Sequence, residues 1–107
     1  MSRASRDTYA QAYAGPEALH TGFEWYRAFA QDEQANRNSA SDPVQTPVLY
    51  VRGEQEAGDL ERYLNGLRSG GLRNVQGRVV PGSGHFLVDE QPEAPLALLR
   101  AFMERSA

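Results

Sequence analysis

The chain has 107 residues, 40% of them hydrophobic and 23% charged, with a net charge of −3 and no cysteine. One domain-sized core is the expectation, burying about 65% of the unfolded-chain surface. These values exclude wholesale disorder and a bilayer span, and the missing cysteines exclude disulfides, thiolate nucleophiles and Cys-based zinc sites. With only His20 and His85, no histidine-rich metal site is expected, and no cofactor is implied.

The eleven basic residues are all arginine and are scattered along the chain, so nucleic-acid binding is disfavoured: neutralising phosphates needs clustered positive charge. Polar residues follow the two N-terminal arginines where a secretory peptide would need an apolar stretch, which makes a cytoplasmic location the default expectation.

In chain order, Ala4 to Ala14 are good helix formers, with Tyr9 and Tyr13 four apart on one helical face. Gly15-Pro16 breaks the pattern. Pro16 at a first helical position, with Leu19, Phe23, Tyr26 and Ala30 in one stripe, predicts a second helix to about Asn36 and hence a helical hairpin. From Asn36 to Thr46 the residues are Asn-, Ser-, Asp- and Pro-rich and aperiodic, which predicts a linker.

The character of the chain then changes. Val48-Leu49-Tyr50-Val51 reads as a strand covered on both faces and ending at Arg52-Gly53. Leu60, Leu64 and Leu67 predict a helix from about Asp59 to Arg68, stopped by Gly70-Gly71. A second strand is predicted over Val75 to Val80, ending at Pro81-Gly82, and a last helix begins at Pro92. Its wide apolar face carries Leu96, Leu98, Leu99, Phe102 and Met103. The predicted class is α/β, with residues 1–46 a helical hairpin and linker and residues 47–107 a parallel βαβα unit.

The chemistry-bearing segment is Pro81-Gly82-Ser83-Gly84-His85-Phe86. A histidine just past the carboxyl end of a parallel strand sits at the sheet edge where α/β proteins build their sites. Its imidazole is suited to general-base work near neutral pH. Such a base needs an orienting carboxylate, and the loop after the preceding strand offers Glu54, Glu56 and Asp59.

Phe23-Glu24-Trp25-Tyr26-Arg27-Ala28-Phe29, then Pro47 to Glu54, then Pro81-Gly82-Ser83-Gly84-His85-Phe86 and Glu90-Gln91-Pro92-Glu93, occur in an order that resembles the α/β-hydrolase superfamily, and within it the epoxide hydrolase and haloalkane dehalogenase branch. The resemblance runs from about Tyr9 to Phe102. It implies the C-terminal βαβα portion of an α/β-hydrolase fold, preceded by helices of the cap domain. It further implies that His85 is the catalytic histidine, which activates the water that hydrolyses a covalent intermediate. Glu56 falls where the family's acid commonly sits, although that position is usually Asp. Tyr26 matches a cap tyrosine that donates a hydrogen bond to the epoxide oxygen as the ring opens.

The family's nucleophile elbow, Gly-x-Ser-x-Gly or its aspartate counterpart, is absent: Gly82-Ser83-Gly84 has the wrong spacing and adjoins the histidine itself. The implied protein is a C-terminal fragment inactive by itself. A small-molecule substrate belongs to the complete enzyme, and an N-terminal hydrolase half or a second copy is the expected partner. Two alternatives stand beside it. One is a non-enzymatic binding or dimerising βαβ remnant with contact surface on Leu19, Phe23, Leu60 and Leu64. The other is part of an ester hydrolase with a serine nucleophile. A lone parallel pair leaves open strand edges, so the isolated chain is expected to be marginally stable, aggregation-prone or dependent on a partner.

Overall fold

Ser2 opens the first helix by accepting the Ser5 N–H on its side chain at 3.1 Å, the expected behaviour of a serine at an N-cap. The structure is a computed structural model and describes residues 1–106. Its elements are α1 (Arg3–Ala12), α2 (Pro16–Arg27), α3 (Phe29–Ser39), β1 (Val48–Gly53), α4 (Leu60–Ser69), β2 (Val75–Val80), α5 (Leu87–Glu90) and α6 (Glu93–Ser106). No helix among the described residues is long and apolar enough to cross a membrane. The chain divides into two units, Met1–Asn38 and the remainder from Ser39.

In the first unit the single helix expected from Pro16 to Asn36 is two helices. Ala28 has ψ −12°, and its N–H lies between the Glu24 and Trp25 carbonyls at 3.0 and 3.3 Å. That is the tightened geometry of a last turn. Neither glycine nor proline stands at the break, so residue type alone could not have signalled it. None of α1, α2 and α3 contains a buried residue. The stripe of Leu19, Phe23 and Tyr26 is open to solvent.

The second unit is built on β1 and β2, which pair in parallel from Val48↔Val75 to Gly53↔Val80. Val44 extends the pairing: its N–H donates to the Gly71 carbonyl at 2.8 Å and its carbonyl accepts from Arg73. The end of the predicted linker is therefore tied to the second unit, and the contact boundary falls after Asn38 where sequence reading drew it after Thr46.

Between the strands, α4 is capped by Asp59, which accepts from the Glu61 N–H. Its Leu64 is buried against β2. Gly77 on β2 makes the close approach possible, because a Cβ there would come within 2.8 Å of Leu60 Cδ1 and 3.0 Å of Leu64 Cδ1. Burying a leucine in this way stabilises by about 1.5–3 kcal/mol. Leu60 and Leu64 thus face the sheet, which corrects their reading as contact surface for a partner.

On the same side Tyr50 stacks on Tyr63, centroids 6.2 Å apart. The buried Arg52 guanidinium lies 4.7 Å from the Tyr63 ring centroid and donates from Nη2 to the Ala57 carbonyl. Its Nη1 has no hydrogen-bond partner. The charge is held by a ring face and one carbonyl, a combination guanidinium accepts better than ammonium because it is planar and less strongly hydrated.

After β2 the chain makes a single helical turn, α5, which sequence periodicity did not reveal: four residues are too few to show a period. Then α6 packs on β1 and β2. Pro95 sits in its first turn, where a missing N–H is not needed. On this helix Leu98, Ala101 and Phe102 are partly covered, while Leu96, Leu99 and Met103 are exposed. Leu64, Val75 and Val80 are the buried hydrophobic residues among those described. A two-stranded sheet also leaves one edge of each strand unpaired.

Candidate functional site

The two loops at the carboxyl ends of β1 and β2 lie side by side because the strands are parallel and adjacent, and their backbones join beyond the last ladder pair. The Glu54 N–H donates to the Val80 carbonyl at 3.0 Å and the Gln55 N–H to the Ser83 carbonyl at 2.9 Å. Gly53, at the end of β1, makes this possible: a Cβ on it would collide with the Ser83 and Gly84 carbonyls. Gly82 turns the second loop with φ +67°, a left-handed conformation that glycine adopts without steric cost. Ser83 is fully buried, and its Oγ donates to the Val80 carbonyl at 2.9 Å.

At the mouth of these loops His85 Nδ1 lies 2.5 Å from Glu56 Oε1. An ionised carboxylate only accepts, so in the neutral imidazole this bond puts the proton on Nδ1 and leaves Nε2 as the acceptor. The His85 side chain is 77% exposed, and Phe86 meets it edge-on at 5.2 Å. Exposed pairs of this kind contribute about 0–1 kcal/mol to stability. Holding a glutamate side chain in one rotamer costs about 1.5–2 kcal/mol, so the pair cannot by itself order the loops that carry it.

The three carboxylates left open in the first loop take three different tasks. Glu56 meets the imidazole, Glu54 accepts the Gly82 N–H on Oε2 at 2.8 Å, and Asp59 caps α4. A turn in which the Glu56 N–H donates to the Gly53 carbonyl separates the first two. Glu90, noticed in sequence only as part of a motif, accepts the Gly84 N–H on Oε2 at 3.1 Å. No local pattern could have announced that bond, because it depends on α5 turning the chain back toward the loop.

A histidine paired with a carboxylate is an arrangement that hydrolytic enzymes of unrelated folds use to activate water or a hydroxyl. No family model matches the sequence. The chain is similar to a soluble epoxide hydrolase. The relative comes from Corynebacterium sp. (strain C12) and is 26% identical over 85 residues, which is 79% of this chain and 28% of the relative. The chain thus spans little more than a quarter of that hydrolase's length. The structure beside this likeness is mixed helix and strand, with two parallel strands.

Tyr26 lies on α2, in the first unit, 70% exposed and with its ring tilted against Phe29 at 5.1 Å. No group of three or more His, Asp or Glu side chains that could hold a metal ion occurs among the described residues.

Proposed function

We propose that this chain carries the acid–base half of an epoxide-hydrolase-like centre, with His85 as general base and Glu56 as the acid that orients it. The observation that carries the reading is the 2.5 Å contact between His85 Nδ1 and Glu56 Oε1, with Nε2 left to accept a proton. It is supported by the similarity to a soluble epoxide hydrolase.

In the complete centre a carboxylate nucleophile from the remainder of the enzyme attacks an epoxide carbon. The ring C–O bond breaks, and an enzyme ester forms. Tyr26 donates a hydrogen bond to the departing oxygen, and the helices of residues 1–46 act as cap. His85 Nε2 then takes a proton from water, the hydroxide adds to the ester carbonyl, and collapse restores the carboxylate and expels the alcohol; the imidazolium proton passes to the oxygen left charged by ring opening, so that a neutral diol and a neutral imidazole result. Glu56 holds the imidazole in the Nδ1–H tautomer and stabilises the imidazolium as it forms. The chain by itself lacks the nucleophile and so does not turn over. Its natural complement is the N-terminal half of such a hydrolase.

The test is a chimera in which this chain replaces the matching stretch of the Corynebacterium hydrolase, assayed on epoxides and on esters. Epoxide turnover is expected. His85→Ala should lower it about 10²–10⁴-fold, the usual weight of a general base, and leave the protein heavier by one bound substrate in mass spectra. Undiminished turnover in the His85→Ala chimera would sink the proposal.

The exposed stripe of Leu96, Leu99 and Met103 favours a second, non-enzymatic reading, in which the chain associates through this face. Light scattering separates the two: a defined small oligomer with no activity in the chimera supports association alone.

A further inference from the structure

In the His85–Glu56 pair the imidazole is 77% exposed and the glutamate side chain 30%, and so wet a pair is too weak to order its own loops, so something else must aim the imidazole. Two carboxylates that play no part in the proton transfer are placed to do this. Glu54 Oε2 accepts the Gly82 N–H at 2.8 Å, and Glu90 Oε2 accepts the Gly84 N–H at 3.1 Å. The residue between those two peptide groups, Ser83, is the fully buried one whose Oγ bonds the Val80 carbonyl. Three consecutive residues immediately before His85 are therefore held, each by a different group.

The two glutamates come from opposite directions. Glu54 stands two residues before Glu56 on the first loop, so its bond to Gly82 sets the separation between the loop that carries the acid and the loop that carries the base. Glu90 is the last residue of α5 and reaches back over the turn containing His85, so its bond to Gly84 sets the angle at which the chain leaves the imidazole. Both are bonds to a charged acceptor, which are stronger than those between neutral groups.

From this geometry we infer that Glu54 and Glu90 are positioning residues that clamp the Gly82–Gly84 backbone and thereby hold His85 in the orientation that pairs Nδ1 with Glu56 and turns Nε2 outward. The inference rests on reading His85 as the base and adds what aims it. A purely structural role for the two glutamates would affect folding and leave the ring state of a folded variant unchanged.

The test reads the imidazole directly in the full chain labelled with ¹⁵N-histidine, at pH 8, through the ring nitrogen shifts, with His20 as internal reference. Magic-angle spinning reads the same shifts from sedimented protein, so self-association does not hide the result. His85 in the parent chain is expected in the Nδ1–H form, and Glu56→Ala should abolish that preference. Glu54→Ala and Glu90→Ala should each lower the Nδ1–H population at least twofold. Glu54→Gln and Glu90→Gln, whose amide oxygens still accept an N–H, should lie between the alanine variants and the parent. If an alanine variant loses its circular dichroism, the glutamine variants decide: intermediate shifts support the clamp, and shifts identical to the parent overturn it. A response to Glu56→Ala with none to either change at Glu54 and Glu90 discards the clamp and keeps His85 as base. No difference between the parent and Glu56→Ala discards both.

Discussion

Gly53 runs beneath Ser83 with no room for a side chain: a Cβ at position 53 would stand 2.5 Å from the Ser83 carbonyl oxygen, and its other neighbour would be the Gly84 carbonyl. Both obstacles are backbone and neither can swing aside. Gly53→Ala is therefore expected to force the two loops apart and destabilise the second unit by about 1–3 kcal/mol, the range found for overpacking. The Gln55 amide, which donates to the Ser83 carbonyl, should lose protection from hydrogen exchange in the same variant. Unchanged protection at Gln55 would mean that the loops tolerate the separation.

Leu64 is one of three buried hydrophobic side chains among the described residues, with Val75 and Val80, and the unit has little else to compensate for its loss. Leu64→Ala should cost about 2–5 kcal/mol. In a unit with so small a core this should abolish the cooperative urea transition of the second unit. A midpoint within error of the parent would contradict the packing of α4 on β2.

Tyr63 serves two partners at once, stacking on Tyr50 and covering the Arg52 guanidinium. Contacts of these kinds contribute about 0.5–1.5 and 0.5–2 kcal/mol respectively. Tyr63→Leu removes both and exposes a cation whose Nη1 has no hydrogen-bond partner, so its cost in denaturant unfolding should exceed that of Tyr50→Leu, which removes only the stack. Arg52→Met, which replaces the buried charge with an apolar chain of similar length, should cost less than Tyr63→Leu.

The open stripe on α6 makes a prediction of opposite kind. Leu96→Ser, Leu99→Ser and Met103→Ser combined should leave helix content unchanged, since these side chains are exposed, yet lower binding of a hydrophobic dye and self-association measured by light scattering. Retention of both properties by the triple variant would locate the adhesive surface elsewhere, with Leu19 and Phe23 on α2 the next to be changed.

Much of the second unit was legible in the residues. The β2 bounds, the start of α4 near Asp59 and its leucine face all depend on neighbours a few positions away, which is the range over which local patterning speaks. The break at Ala28 was not legible, because an alanine between arginine and phenylalanine carries no helix-stopping chemistry. Nor was α5, whose single turn has no side-chain cap hydrogen bond to announce it.

The site divides along the same line. That a histidine follows a parallel strand and that carboxylates follow its neighbour was determined by the amino-acid sequence, since turn residues and strand patterning act locally. Which carboxylate meets the imidazole and which one grips Gly82 was decided only by the tertiary structure. Those partners lie 28 and 29 residues apart in the chain, and only pairing of the two strands brings their loops to hydrogen-bonding distance.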